Sequence, residues 1–184
     1  MSDSKPSIVP PLVPRVMVAT VALGRASIPD DVRQLVVDTL RAAQFAFVRG
    51  VTVNREKQFI LQLISNVANA NEADAIILIG GVGIGPRDFT CEAVDQSVDR
   101  RIEGFGEAYR QLLREEFGAG PGAFLARAAA GVCNKCLVFA LPRTSEPLRR
   151  AMQLLVIPSL ADAVRVAEGR ATSSETMPRP SGGT

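Results

Sequence analysis

Histidine and tryptophan are both absent from the 184 residues of this chain. Without an imidazole, the chain can form no His-based acid–base pair and no metal site that needs histidine. It has one tyrosine, so the aromatic platforms on which single-stranded bases stack are not expected. Its three cysteines, an odd number, fit a reducing compartment better than a disulfide framework. We therefore expect a cytoplasmic protein.

Long apolar runs and a strong net charge are also missing. No stretch is apolar enough for long enough to span a bilayer, and prolines stand where a signal peptide would have its apolar core, so we expect no membrane segment and no secretion signal. The net charge of +2 is too small to indicate nucleic acid as a partner. The length suffices for one α/β domain with a sizeable core.

Apolar stretches and amphipathic helices alternate along the first half of the chain. Strands are predicted from Arg15, over residues 45–53 and over residues 75–79, and helices are predicted to begin at Pro29 and Asn54. This β-α-β-α-β order is typical of a parallel sheet with right-handed crossovers. We predict a three-layer α/β/α fold with a mostly parallel central sheet.

The second half is predicted to be mainly helical up to residue 117, with a break near Gly104. A further helix is expected over residues 123–130, then a fourth strand over residues 137–141, and then two helices. Composition predicts a flexible arm at residues 1–14, one domain at residues 15–167 and a disordered tail at residues 168–184.

A glycine-rich turn follows the third predicted strand, with glycines at positions 80, 81, 83 and 85. Ligands bind open α/β sheets at the carboxyl ends of their strands, and backbone N–H groups in a glycine-rich loop can cradle an anion there. Arg87 adds a planar cation suited to phosphate, and Asp88 adds a carboxylate that could hold Mg²⁺. An ordinary turn, with Asp88 or Thr90 as a helix cap, explains the same residues. The spacing matches neither nucleotide-binding fingerprint.

Four motifs in order resemble those of the MoaB/Mog molybdopterin-binding family: GGVGIGPRDFTCEA from residue 80, EGFGEAYR from residue 103, LARAAAGV from residue 125 and LVFALP from residue 137. The resemblance covers roughly residues 15–167. It implies binding of molybdopterin, transfer of AMP from Mg-ATP to the terminal phosphate of that pterin, and assembly as a homotrimer or a dimer of trimers.

The resemblance also assigns site residues. Asp88 would be the catalytic residue and the ligand of Mg²⁺. The phosphate and the pterin ligand would be bound by glycines and by polar residues of two loops, namely Gly80, Gly81, Gly83, Arg87, Thr90, Pro142 and Thr144.

Several family residues at the rim of this pocket are replaced. Ile79 and Val82 stand where the glycine motif normally has threonines, and the first strand lacks the usual Ser-Asp. Arg55 lies in the run that normally supplies a metal-binding acid, and Arg143 replaces the glycine of the last loop. A cation can partly replace a metal in binding an anion, yet it does not position an in-line attack.

Two functions follow from this comparison. The favoured one is a molybdopterin-binding protein whose adenylyl transfer is weakened or lost, a pseudoenzyme that holds a ligand or a protein partner. The alternative is an active Mg-ATP-dependent adenylyltransferase that works through Asp88. Cofactors are accordingly either Mg²⁺ and ATP, with molybdopterin as the ligand, or none. Neither function involves nucleic acid or a membrane.

A Cys-x-x-Cys at residues 133–136 is weak evidence for zinc, since a structural zinc site needs four ligands and the chain has only one more cysteine, Cys91, and no histidine. In the family, a turn lies at this point of the chain. We therefore favour a turn here over a redox pair.

Overall fold

The fold is described from a computed structural model, which describes residues 12–22 and 30–170. Seven helices and six strands lie in these ranges, together with one π-helical turn that joins the last two helices. In chain order they are β1 Arg15–Ala22, α1 Asp30–Ala42, β2 Ala46–Asn54, α2 Lys57–Asn69, β3 Ala75–Ile79, α3 Thr90–Ser97, β4 Arg100–Arg101, α4 Phe105–Phe117, α5 Pro121–Leu125, β5 Ala129–Cys133, β6 Cys136–Leu141, α6 Ser145–Ala151, the π turn Met152–Val156 and α7 Ile157–Ala167.

The six strands form one sheet in the order β2-β1-β3-β6-β5-β4. The first four strands of this order are parallel, and β5 and β4 add an antiparallel edge. The carboxyl ends of β2, β1, β3 and β6 therefore meet at one edge of the sheet, which we call the carboxyl edge. The predicted mostly parallel α/β sheet is confirmed.

The two faces of the sheet carry separate cores, which makes the three layers. Alternate residues of β3 point to opposite sides, with Ile77 and Ile79 on one face and Ile76 and Leu78 on the other. The first face is covered by α1, α4, α6 and α7, and the second by α2 and α3. All five residues of β3 are buried, as expected of a central parallel strand with helices on both sides.

The predicted helix over residues 123–130 is wrong in its second half. Helix α5 ends at Leu125, and residues 129–133 form β5 instead. Alanine-rich sequence favours a helix locally, but pairing with the buried strand β6 determines the conformation here. Gly131 permits this pairing, because a Cβ at this position would lie 2.7 Å from the Arg100 carbonyl oxygen on β4.

The predicted turn at the Cys-x-x-Cys is confirmed. Cys133 and Cys136 face each other across the β5–β6 hairpin, and the two turn residues have positive φ, 43° at Asn134 and 71° at Lys135. All three cysteines of the chain are free thiols. Among the described residues, no group of three or more cysteines and acids lies close enough together to hold a metal ion.

The predicted terminal segments fall mostly outside the described residues. At the amino-terminal boundary, the Pro14 carbonyl accepts a hydrogen bond from the Ala46 N–H at 2.9 Å. At the carboxyl-terminal boundary, Gly169, with φ 76°, ends α7, and the Arg170 N–H returns to the Arg165 carbonyl at 2.8 Å. No described helix has the length and apolar composition to cross a membrane.

Candidate functional site

The glycine turn leaves β3 at the carboxyl edge of the sheet. The Gly80 N–H still pairs with the Leu141 carbonyl of β6 at 2.9 Å, so the turn starts directly at the sheet. Gly80 and Gly81 have φ of 99° and 66°, values that favour glycine. A Cβ on Gly81 would also lie 2.5 Å from the Thr90 hydroxyl oxygen. Both glycines are thus required by the backbone path.

Thr90 holds this turn against the start of α3. Its buried hydroxyl donates to the Gly80 carbonyl at 2.8 Å, and its backbone N–H donates to the Gly81 carbonyl at 2.9 Å. The side chain predicted to contact a ligand is therefore already committed to the protein. What Thr90 provides in this structure is the shape of the loop.

Asp88 folds back onto the same loop. Its Oδ2 accepts a hydrogen bond from the Gly85 N–H at 3.1 Å. A Cβ on Gly83 would lie 2.6 Å from this oxygen, and one on Gly85 would lie 2.8 Å from it. The later two glycines of the turn thus make room for the Asp88 carboxylate and do not adopt positive φ.

A cleft of about 200 Å³ opens beside the turn. Its wall combines the glycine turn, the loop after β6, one residue of α4 and the segment from the end of α5. The lining residues are Gly80, Gly81, Val82, Gly83, Tyr109, Leu125, Ala126, Arg127, Pro142 and Arg143.

Four of the eight predicted site residues meet in this cleft, namely Gly80, Gly81, Gly83 and Pro142. The other four do not line it: Arg87 is exposed on the turn, Asp88 is bonded within the turn, Thr90 is buried beneath the turn, and Thr144 is exposed just before α6. Of the two arginines that replace family residues, Arg143 lines the cleft. Arg55 lies at the end of β2, outside the cleft wall.

Arg127 is a cleft residue that the sequence prediction did not assign. It donates from Nη1 to the Gly83 carbonyl at 3.0 Å, and its Nη2 pairs with the Glu92 carboxylate of α3. Burial has the largest single effect and opposes the charge, but the hydrogen bond to Glu92 and the attraction of the nearby acidic groups together outweigh it, so the pKa of Arg127 lies above its usual value. Its position in the family motif LARAAAGV was the sequence signal that could have identified it as a site residue.

Tyr109 is the second such residue. It is buried in α4 and forms part of the cleft wall, and burial raises the pKa of its phenol. Tyr109 lies in the family motif EGFGEAYR, but nothing in that motif distinguishes a cleft residue from a core residue, so only the packing of α4 on the sheet showed its position.

The Mg²⁺ implied by the resemblance does not fit the cleft as the described side chains build it. No carboxylate lines the cleft, and its charged side chains are two arginines. Mg²⁺ requires oxygen ligands, usually one or two carboxylates with phosphates and water. The predicted ligand, Asp88, does not line the cleft and accepts a hydrogen bond from the Gly85 N–H.

Comparison with known proteins identifies the fold and the family. Residues 16–162 match the model of a family described as "Probable molybdopterin binding domain". The chain belongs to this molybdopterin-binding domain family. The predicted resemblance to MoaB and Mog is thereby confirmed.

Individual family members match over most of the chain. Molybdenum cofactor biosynthesis protein B of Bacillus subtilis is 34% identical over 155 residues, which cover 84% of this chain and 91% of that protein. The protein of the same name from Escherichia coli K12 is 30% identical and covers 79% of this chain and 85% of its own length.

A crystal structure of a molybdenum cofactor biosynthesis protein B superposes on the chain with a TM-score of 0.80 at 30% identity, covering 87% of this chain and 99% of the other. The molybdopterin biosynthesis enzyme MoaB of Thermus thermophilus superposes with a TM-score of 0.76 at 27% identity, covering 88% and 100%. The chain is thus a MoaB-like protein of molybdenum cofactor biosynthesis.

Proposed function

We propose that this MoaB-like protein binds molybdopterin at the glycine-turn cleft and that its adenylyl transfer is weakened or lost. One observation carries the proposal: no carboxylate lines the cleft among the described residues. Transfer of AMP requires the charge of the triphosphate to be neutralised and the phosphates to be aligned, and a metal ion usually does both. An arginine neutralises charge but does not bridge two phosphates as a metal does.

The retained parts of the site support ligand binding. The glycine turn keeps its positive φ values, Thr90 fixes its shape, and the turn leaves the sheet where α/β folds bind ligands. Apolar groups of Leu125, Ala126 and Pro142 complete the wall. A protein that binds and holds the phosphorylated pterin, or presents it to another protein, needs these features and no metal.

The second candidate is an active Mg-ATP-dependent molybdopterin adenylyltransferase. Asp88 favours it, because this carboxylate is half-buried in the glycine turn and only one hydrogen bond to it is seen in the described structure. Mg²⁺ often binds through one carboxylate, with substrate phosphates and waters as its other ligands.

One assay distinguishes the two candidate functions. Purified protein is incubated with molybdopterin and Mg-ATP, and adenylylated pterin is quantified beside the binding of molybdopterin alone. We expect molybdopterin to bind and product to form at least about 100-fold more slowly than with an active family member, since loss of one positioned charge interaction costs about 2.7–4 kcal/mol.

If product forms, Asp88→Asn tests whether Asp88 is required for it. Asp38→Asn, on the exposed face of α1, is the control. Product formed at a rate close to that of the active enzyme, and abolished by Asp88→Asn alone, would establish the second candidate. Failure of molybdopterin to bind would contradict both.

We further propose that the chain assembles as a homotrimer or a dimer of trimers. Apolar side chains that remain exposed on the described surface, among them Phe124 at 72% and Ile84 at 66%, support association with other chains. Light scattering during gel filtration should give three or six times the chain mass of 19.6 kDa. A monomeric mass at micromolar concentration would contradict this, and a heterologous protein partner would then be sought.

A further inference from the structure

The Cys-x-x-Cys at residues 133–136 brings two thiols together at the end of the β5–β6 hairpin. Cys133 and Cys136 form the last pair of this antiparallel ladder, directly opposite each other across the two-residue turn. Residues opposite one another in such a ladder have Cα atoms about 4.5–5.5 Å apart and side chains on the same face of the sheet. A disulfide needs a Cα separation of about 4.4–6.8 Å. The backbone therefore already holds this pair at the separation that a disulfide requires.

The surroundings of the two thiols agree with this register. Cys136 belongs to the core on the α2–α3 face of the sheet, and Cys133 packs against the same core. Burial has the largest effect in raising the pKa of Cys136, and the neighbouring Cys133 raises it further. The two sulfurs thus lie within range of each other's charge. The third thiol of the chain, Cys91, lies apart from the hairpin in α3.

The two thiols differ in exposure, which sets the order in which they can react. Cys133 is half-buried at the end of the hairpin, whereas Cys136 is 3% exposed and donates its S–H to the Leu137 carbonyl at 3.6 Å. Cys136 also lines a cavity of about 350 Å³ at the amino end of β6, which leaves room for its sulfur to turn toward Cys133. Cys133 is therefore placed as the attacking thiol and Cys136 as the resolving thiol.

We propose that Cys133 and Cys136 are a redox-active dithiol, which low-molecular-weight disulfides such as glutathione disulfide oxidise to an intramolecular disulfide. The Cys133 thiolate attacks one sulfur of the small disulfide, so that a mixed disulfide forms and one small thiol leaves with the Cys133 proton. The Cys136 sulfur then attacks the Cys133 sulfur, and the second small thiol leaves with the Cys136 proton. The reaction thus reduces one small disulfide to two thiols and oxidises the two protein thiols to one disulfide.

This modification site lies at the opposite end of β6 from the glycine-turn cleft, so it stands independently of the proposed function. Burial raises the pKa of both thiols, which slows the first attack at neutral pH. Burial also denies the reduced pair the stabilised thiolate that makes some dithiols strong oxidants. The disulfide, once formed, should therefore persist until a reductant is supplied. Transient disulfides of this kind in reducing compartments are usually catalytic or redox-sensing.

The test uses the full-length reduced protein and glutathione disulfide without oxygen at about pH 8.5, where more of the Cys133 thiol is ionised. Samples are quenched with acid at intervals, the free thiols are alkylated, and mass spectrometry reports the state of each cysteine. We expect the three free thiols to fall to one, with a disulfide between Cys133 and Cys136 and with Cys91 unmodified.

Single substitutions assign the two roles. Cys136→Ser should accumulate protein with one glutathione on Cys133. The unmodified protein should hold less than about a tenth of that amount, because its second attack is intramolecular. Cys133→Ser should stay reduced, since Cys136 is buried. Cys91→Ser is the control and should form the disulfide at the rate of the unmodified protein. Unchanged amide NMR spectra away from each substitution confirm that the variant is folded.

Three results with the unmodified protein would overturn the inference. The first is that all three thiols stay free in the native protein after a urea-denatured sample has been oxidised by the same reagent. The second is a mixed disulfide on Cys133 that does not resolve, and the third is a disulfide that includes Cys91. Failure of molybdopterin to bind concerns the proposed function alone, because neither hairpin thiol lines the cleft.

Discussion

Each residue of the glycine turn is required for a different structural reason, although together they form one sequence motif. Gly80 and Gly81 supply positive φ, and Gly83 and Gly85 make room for the Asp88 carboxylate. Thr90 closes the turn from below through its hydrogen bond to the Gly80 carbonyl. The motif therefore encodes a loop that its own contacts hold in place, so its shape does not depend on a bound ligand.

Substitution of Gly81 tests this account. Gly81→Ala places a methyl group 2.5 Å from the Thr90 hydroxyl at a φ of 66°, so it should lower the free energy of unfolding by more than about 1 kcal/mol. Urea denaturation measures the change. Gly122→Ala in α5 is the matched control, because a Cβ there meets nothing within 4 Å and alanine favours a helix. Equal effects at the two positions would contradict the account.

Among secondary-structure elements, the β5–β6 hairpin is the clearest conflict between local sequence and structure. Its two-residue turn has the positive φ values of a type I′ turn, for which Asn-Gly is the preferred pair. Asn134 fits this preference, but Lys135 at φ 71° adopts a left-handed backbone conformation that costs a non-glycine residue conformational energy. The hairpin is stable because β6 is buried in the sheet, whatever the turn contributes.

Lys135→Gly should therefore stabilise the protein by up to about 1 kcal/mol, since glycine adopts the left-handed conformation without strain. The midpoint of thermal unfolding measures it. Lys135→Val serves as the opposite variant and should lower the midpoint, because a β-branched residue tolerates positive φ least. An unchanged midpoint in both variants would show that the turn backbone differs from the one described.

At the scale of the whole molecule, two buried thiols make the free energy of unfolding depend on pH in the alkaline range. Burial raises the pKa of Cys91 to about 11 and that of Cys136 to about 12, above the ordinary value near 9. In the unfolded chain both thiols ionise near their ordinary value, so the unfolded state binds fewer protons than the native state in this window. Their contribution to stability is complete below pH 9 and is lost as pH rises toward 11–12.

The free energy of unfolding in urea should accordingly fall between pH 9 and pH 11. Cys136→Ala should reduce the size of this fall, although it also lowers stability at pH 8 by opening a small cavity. Cys133→Ala should reduce the fall less, because burial also raises the pKa of Cys133 but this thiol is only partly buried at the hairpin end. A fall of the same size in Cys136→Ala and in the unmodified protein would exclude this thiol as its source.

Much of the architecture of the whole molecule was predictable because the spacing of apolar residues along the sequence indicates which positions are buried. The continuous apolar run of β3 and the amphipathic helices before it predicted the parallel sheet correctly, and the motif order predicted the family. The prediction over residues 123–130 failed because the alanines carry little periodicity, so the pairing of β5 with β6 decided their conformation.

By itself, the sequence determined the parallel core, the place of the glycine turn at the carboxyl edge of the sheet and the family, because burial and backbone freedom are encoded in neighbouring residues. Only the tertiary structure decided which side chains share the cleft. Tyr109, Arg127 and Arg143 come from three distant segments, and they meet because α4 and the segments that follow α5 and β6 come together beside the glycine turn after β3. Such contacts depend on the packing of whole elements, which no short stretch of sequence contains.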